Sequence, residues 1–303
     1  MNLEFISFEA TDKIVLPGLL YKPDKPTKQA TIWLHGMGDN AVFYKPALIN
    51  QLGKAHCEQG IAFLAFNNRG AHNRKRLKIA DEALPEEDRS YQGGSYYELI
   101  SDAPKDIDGA VRFLKNRGFT KLYLAGHSTG ANKICVYDSQ TQHTPFNKYI
   151  LAGPGDDTGI FFNELGAKKY WAALQHAAKL LKEKPLQIMP KYTGMYPFSV
   201  QSTWDILNPD GNYNTFPYYE YKTERLGKKT LFGEYRNIKK PTLVIIGEDD
   251  EFIHATEALD TLLHCTDASM IKQHDFELVK KADHSFRGNE SVFAQQVVDW
   301  INK

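Results

Sequence analysis

Residues 122–130 read LYLAGHSTG, and this stretch decides the fold. The apolar run 122–125 predicts a buried strand, and the residues from Thr129 to about Asp138 predict a helix. Between them, Gly126-His127-Ser128-Thr129-Gly130 fits the pattern G-x-S-x-G, in which a serine projects from a tight turn. The flanking positions must be small because neighbouring backbones pass close to such a turn. The pattern therefore favours Ser128 as a nucleophile, with a glycine-bounded structural turn as the alternative.

The same alternation of strands and helices extends outward from this stretch. Apolar runs predict further strands at 3–8, 14–21, 30–35, 61–66, 149–152, 241–246 and 276–280. Periodic apolar positions predict helices at 44–59, 102–117, 255–263 and 291–301. Such alternation is typical of an α/β fold, a mostly parallel sheet with helices on both faces.

One segment, 156–235, interrupts this rhythm. It contains 15 of the 37 aromatic residues of the chain, one predicted helix at 167–182 and a loop-rich remainder. We predict an inserted cap over 156–235 and a core formed by 1–155 and 236–303. Aromatic side chains dominate the linings of apolar pockets, so we expect four of them to contact substrate: Trp171, Tyr196, Phe198 and Trp204. The alternative is that the rings pack only among themselves.

A second insertion, residues 71–92, carries five basic and five acidic residues. This balance predicts a solvated surface loop.

A serine nucleophile needs a base and an orienting acid, and both are available further along the chain. His284 lies in ADHSF (282–286), between the last predicted strand and the last helix. Asp250 lies in GEDDEFI (247–253), just after the strand 241–246. The order Ser, Asp, His is one in which such triads occur. The neighbouring Asp249 is the rival acid, and the spacing from Gly247 favours Asp250.

Acyl transfer also needs hydrogen-bond donors where an oxyanion forms. The sequence HGMG (35–38) closes the third predicted strand, and we expect the backbone N–H of Met37 to supply one donor. The N–H of Thr129 is the expected second donor. We expect His35 to be a packed histidine, and a simple glycine-rich turn is the alternative interpretation of HGMG.

Composition excludes several other classes of function. With 37 basic and 37 acidic residues, the chain lacks the positive field that nucleic acid binding requires. Cys57, Cys135 and Cys265 show no paired spacing, so we expect neither disulfides nor a cysteine-based metal site, and we predict a cytoplasmic location. The sequence shows no signal-peptide pattern and no run of about 20 apolar residues, so we expect no membrane insertion. No metal-ligand or nucleotide-binding motif is present.

Taken together, the motifs HGMG (35–38), NRG (68–70), GHSTG (126–130), GEDD (247–250) and DHSF (283–286) resemble those of the α/β-hydrolase superfamily. HGMG is similar to the lysophospholipase and monoglyceride lipase branch. GHSTG, following the helix start at 101–108, resembles esterase-like proteins that include fungal siderophore hydrolases. The resemblance implies an α/β-hydrolase fold with a mostly parallel sheet and an inserted cap.

The resemblance also implies a serine hydrolase that cleaves a small-molecule carboxylic ester through Ser128, His284 and Asp250, without a cofactor. A peptidase or amidase would use the same residues. A non-catalytic ligand-binding protein on the same fold is the alternative from another class. A dehalogenase or epoxide hydrolase is disfavoured, because it requires a carboxylate in place of Ser128. The oligomeric state is left open.

Overall fold

Eight strands form the central sheet in the computed structural model, which describes residues 1–43, 45–189, 197–266 and 273–303. They are β1 (Asn2–Glu9), β2 (Val15–Lys22), β3 (Gln29–Leu34), β4 (Ala62–Phe66), β7 (Lys121–His127), β8 (Phe146–Ala152), β9 (Thr242–Gly247) and β10 (His274–Val279). Their order across the sheet is β1-β2-β4-β3-β7-β8-β9-β10. β2 pairs antiparallel with β1 and β4, and the other five pairs are parallel.

The parallel pairing determines where the chemistry can take place. Strands such as β4 and β9 are buried along their whole length, as continuous apolar runs predict for a sheet covered on both faces. Because β3, β7, β8, β9 and β10 all run in one direction, the loops that follow them meet at one edge. The carboxyl edge of such a sheet is where ligands bind in open α/β folds.

Helices cover both faces of the sheet. On one face α1 (Pro46–Glu58) packs against α10 (Glu290–Asn302). The other face is covered by α2 (Ala103–Asn116), α3 (Thr129–Gln140), α8 (Gly233–Arg236) and α9 (Ala255–Cys265). The predicted strands and helices of the core are therefore present, with bounds that differ from the sequence-based ones by at most a few residues.

The segment 156–235 contains more helix than the single one predicted. It folds into α4 (Asp157–Leu165), α5 (Ala167–Leu180), α6 (Val200–Leu207), α7 (Tyr218–Lys222) and α8. The extra helices are short, and tertiary contacts rather than long apolar periods stabilise them. For α4, the Asp156 side chain accepts a hydrogen bond from Gly159 N at 2.7 Å and from Tyr219 N at 2.7 Å.

The aromatic residues that the structure describes within 156–235 pack mainly in two cores. Those of α4, α5 and α6, such as Phe162 and Tyr170, form a small core of their own. Those near α7 and α8, such as Phe216 and Tyr235, join the core beneath the sheet. The boundaries of the cap stay a prediction, but the last part of 156–235 packs as part of the core beneath the sheet.

The insertion 71–92 is not simply a solvated loop, and that prediction is corrected. β5 (Lys75–Lys78) pairs antiparallel with β6 (Ser90–Gly93) to form a hairpin. The single apolar residue of β5, Leu77, is buried in the sheet core, while Arg76 and Lys78 are exposed. A single apolar residue between charged residues is not a pattern from which the sequence predicts a strand.

Buried ion pairs fix the loop after β4. Arg69 donates two hydrogen bonds to Asp106 Oδ1, at 2.9 and 2.7 Å, and two more to Asp12. These hydrogen bonds join the turn between β1 and β2, the loop after β4 and the helix α2. The NRG motif therefore stabilises the fold and does not enter the cavity described below.

Candidate active site

Ser128 occupies the turn between β7 and α3. Its backbone has φ +57° and ψ −130°, which non-glycine residues rarely adopt. Ser128 N donates to Ala152 O at 2.8 Å, which ties the turn to β8. A Cβ atom on Gly126 would overlap the Gly130 carbonyl, and one on Gly130 would overlap Leu34 O. The two glycines of the pattern are thus required by backbone contact.

His284 and Asp250 form a hydrogen-bonded pair at the same edge of the sheet. His284 Nδ1 lies 2.7 Å from Asp250 Oδ2. The other oxygen, Asp250 Oδ1, accepts hydrogen bonds from Phe252 N at 3.0 Å and Ile253 N at 3.2 Å. The Asp250 side chain is completely buried, whereas Asp249 is exposed. The structure therefore brings Asp250, and not Asp249, to His284.

Ser128 and His284 line one cavity of about 630 Å³. Among the described residues, no direct hydrogen bond joins the Ser128 hydroxyl to His284. Such bonds are often long in unliganded enzymes and shorten when substrate binds. The pairing of Nδ1 with Asp250 leaves Nε2 as the ring nitrogen available to the serine.

Two residues that sequence reasoning missed hold the His284 loop in place. His127 Nε2 donates to His284 O at 2.6 Å, and the two rings lie 4.7 Å apart. Burial lowers the pKa of His127 well below its usual value, so this ring is neutral. Glu251 Oε2 accepts from His284 N at 2.9 Å. In the sequence, His127 is marked only by its position between Gly126 and Ser128. No sequence rule assigns a hydrogen-bond partner to that position.

The HGMG segment lies against Ser128. A Cβ atom on Gly36 would lie only 2.9 Å from Ser128 Cβ, and Met37 and Thr129 both line the cavity. Further along this loop, Asn67 Oδ1 accepts from Ala41 N and Val42 N, each at 2.8 Å. The loop that carries Met37, one of the two expected oxyanion donors, is therefore held by a residue that follows β4.

His35 is packed, as the sequence predicted. Its Nε2 accepts from Asn68 N at 3.1 Å, which places the proton on Nδ1, and Nδ1 donates to Gly36 O at 2.8 Å. Burial lowers its pKa well below the usual value. The neutral ring therefore supports the HGMG backbone.

The four aromatic residues predicted to contact substrate have different positions. Phe198 lines the cavity. Trp171 and Trp204 pack against the small core of 156–235, and the cavity lining within the described part of the chain includes neither. Tyr196 lies outside the described residues. The prediction for Trp171 and Trp204 is corrected because helical periodicity turns both rings toward α4–α6 packing rather than toward the serine.

Other residues, which the sequence analysis did not name, line the cavity instead. Ile160 and Phe161 of α4 form an apolar wall with Phe198. Phe252 packs edge-on against His284 with ring centroids 4.9 Å apart. Asp157 is a carboxylate on the same wall, directly after the strand β8 and the sequence Gly153-Pro154-Gly155. A pair of aspartates at the end of a parallel strand was the signal that could have identified it.

Within the described ranges, no three His, Cys, Asp or Glu side chains are placed to hold a metal ion. No helix of that part of the chain has the length and apolar character needed to span a membrane. The three cysteines are free.

The sequence profile of the family described as "Protein of unknown function (DUF1749)" matches residues 85–302. The chain belongs to the DUF1749 family. The match spans Ser128, Asp250 and His284, while HGMG lies before it. No curated protein matches the chain significantly.

Solved structures similar to this DUF1749 chain are named as α/β-hydrolases or as esterases. The α/β-hydrolase GrgF from Penicillium sp. sh18 superposes with a TM-score of 0.65 at 15% identity, over 99% of this chain and 98% of that one. Est1E from Butyrivibrio proteoclasticus, with ferulic acid bound, gives 0.61 at 14%, over 98% and 99%. The carboxylesterase CesB (YbfK) from Bacillus subtilis gives 0.55 at 16%, over 99% and 92%. The prediction of an α/β-hydrolase fold is confirmed.

Proposed function

We propose that this protein is a serine hydrolase that cleaves carboxylic esters through an acyl-enzyme intermediate. The observation that carries the proposal is the His284–Asp250 hydrogen bond of 2.7 Å at the cavity that Ser128 lines. A serine on a strained turn, a histidine held by a buried acid and a cavity that receives a reacting carbonyl are the parts that acyl transfer requires. Similar structures named as esterases or as a carboxylesterase support the ester as the substrate class.

Each residue then has a defined role. Ser128 Oγ attacks the ester carbonyl while His284 Nε2 accepts its proton. Asp250 orients the ring and stabilises the imidazolium that forms. The backbone N–H groups of Met37 and Thr129 stabilise the oxyanion, and the N-terminus of α3 adds a favourable field. His284 then protonates the leaving alcohol, and water releases the acyl group by the reverse path.

The test is the variant Ser128→Ala against the unmodified protein. We expect ester hydrolysis to fall by roughly 10⁶-fold, because loss of the nucleophile removes the action of the whole triad. The assay uses p-nitrophenyl esters of increasing acyl length, with p-nitroanilides of the same acids to detect amidase activity. A fluorophosphonate probe should label the unmodified protein and not the variant.

Three outcomes contradict the proposal. Retention of near-full esterase activity by the folded variant would show that Ser128 is not the nucleophile. Absence of both labelling and hydrolysis in the unmodified protein would favour a non-catalytic binding protein. Faster cleavage of the p-nitroanilides than of the esters would show that amides are the preferred substrates.

A further inference from the structure

One face of α4 forms part of the cavity wall. Asp157, Ile160, Phe161 and Glu164 all line the cavity, and their spacing of three, four and seven residues places them on the same side of the helix. Two apolar side chains therefore lie between two carboxylates. Asp157 is at the deep end, beside the nucleophile turn, and Glu164 is exposed.

Asp157 is held in a fixed position by the first turn of α3. Its Oδ2 accepts hydrogen bonds from Thr129 Oγ1 at 3.0 Å and from Asn132 Nδ2 at 3.2 Å. Its Oδ1 accepts no hydrogen bond from any residue that the structure describes. The carboxylate thus has one oxygen anchored to the protein and one free for a ligand in the cavity that Ser128 lines.

The cations at the cavity are already paired with other acids. The charged residues of the lining are Asp39, Lys45, Asp157, Glu164, Glu251 and Arg287. Lys45 lies 2.8 Å from Asp39. Arg287 lies 2.7 Å from Asp283 and 3.9 Å from Glu251. Neither cation pairs with the α4 carboxylates, so the α4 face presents uncompensated negative charge to a bound substrate.

Burial makes this charge unfavourable until a ligand compensates it. Desolvation raises the pKa of Asp157 to about 7, and the neighbouring Asp156 adds to the effect, while His284 and Lys133 oppose it. A half-buried carboxylate beside Thr129 also disfavours an oxyanion at the Thr129 N–H. A cation that binds Asp157 removes both penalties, and it does so most strongly when the oxyanion forms.

The two sides of the ester can be assigned from the same geometry. The leaving alcohol has to lie beside His284, which protonates it, and Phe252 covers that side. Asp157 bonds instead to Thr129, on the α4 side of the serine. An acyl group that extends along α4 would then bring its chain to Asp157.

We propose that Asp157 is a specificity-determining residue that binds a protonated amine on the acyl group of the substrate, through the free Oδ1 on the α4 wall. The preferred substrates are esters whose acyl chain carries an ammonium group beyond a short apolar spacer, which contacts Ile160 and Phe161. This inference rests on the proposed esterase function.

The experiment compares matched methyl esters by the proton release at pH 7.5. Methyl 3-aminopropanoate is paired with methyl butanoate, and methyl 6-aminohexanoate with methyl heptanoate, so that each pair differs only in ammonium against methyl. We expect at least one ammonium ester to have a kcat/KM about tenfold or more above its neutral partner. Asp157→Asn should abolish that preference, and Asp260→Asn, at an exposed carboxylate outside the cavity lining, should preserve it within about threefold.

The ratio within a pair separates specificity from a general loss of activity. If Asp157→Asn fails to fold, Asp157→Glu provides the second variant, because it keeps the charge and should keep a preference for an ammonium ester. Equal rates within every pair, or a preference that survives Asp157→Asn, would overturn the inference while the neutral esters still demonstrate the esterase. Failure to cleave any ester, together with no fluorophosphonate labelling, would instead overturn the proposed function.

A last pair tests the side of the ester. 2-Aminoethyl acetate is compared with propyl acetate, which places the ammonium on the alcohol. We expect no preference in this pair, and a preference there that Asp157→Asn removes would overturn the acyl-side assignment.

Discussion

The backbone around Asp250 determines that this aspartate, and not its neighbour, pairs with His284. Three donors surround its carboxylate: Phe252 N and Ile253 N on Oδ1, and His284 Nδ1 on Oδ2. The turn that supplies these donors follows directly from the end of β9. One position earlier, Asp249 points to solvent. The two adjacent aspartates therefore differ in environment and not in chemistry.

We expect Asp250→Asn to lower kcat for ester hydrolysis by about 10³–10⁴-fold, because an amide no longer stabilises the protonated His284 ring. Asp249→Asn is the matched control and should change kcat less than about twofold, since an exposed carboxylate interacts weakly with a distant charge. Steady-state kinetics of both variants on one p-nitrophenyl ester provide the measurement. A larger loss in Asp249→Asn than in Asp250→Asn would give the orienting role to Asp249.

The helix α3 begins at the Ser128 turn and carries a buried charge. Lys133, one turn along α3, is fully buried and forms an ion pair with the buried Glu98. The segment around Glu98 also contacts α6, because Ser202 Oγ donates to Glu98 O at 2.7 Å. The Lys133–Glu98 pair thus joins α3 to α6.

Lys133→Met should destabilise the protein by about 3–5 kcal/mol, because it leaves the Glu98 carboxylate buried without a partner. A second substitution, Glu98→Gln, removes the unpaired charge and should restore much of that loss. Urea unfolding of the unmodified protein, both single variants and the double variant measures the coupling. Additive effects of the two substitutions would show that the two side chains do not interact energetically.

Across the whole molecule, the sheet and the inserted helices together desolvate several carboxyl groups. Burial raises the pKa of Asp156, Asp157 and Asp205 to about 7 in each case. Asp205, on α6, accepts a hydrogen bond from Ile100 N at 2.8 Å and so lies between the inserted segment and the core. In the unfolded chain such groups have pKa values near ~3.9. At pH values between these two pKa values, the carboxyl groups are protonated in the folded protein and ionised in the unfolded chain.

The stability contribution of Asp205 is therefore present at low pH and is lost as the pH rises toward 7. Asp205→Asn removes this dependence, since an amide does not ionise. Relative to the unmodified protein, we expect the variant to gain about 2–3 kcal/mol in free energy of unfolding between pH 5 and pH 8. Urea unfolding at both pH values checks this, with the exposed Asp260→Asn as the control that should show little change. An equal difference at both pH values would contradict the raised pKa of Asp205.

Local patterns in the amino-acid sequence were sufficient to predict the sheet, its covering helices and the turn that carries Ser128. Continuous apolar runs such as β9 and the glycine spacing around Ser128 are local signals, because they follow from burial on two faces and from backbone contact within a few residues. His284 and Asp250 were also predictable, since each follows a recognisable strand in an order that matches known triads.

Only the tertiary structure decided which aromatic rings face the cavity and which carboxylates are desolvated there. Trp171 and Trp204 have the composition of pocket residues but pack in the core of the inserted segment, whereas Phe161 and Phe198 reach the cavity. Asp157 became a candidate only when α4 placed it beside Thr129. The physical reason is that burial and charge pairing depend on contacts between residues far apart in sequence, which periodicity and spacing do not encode.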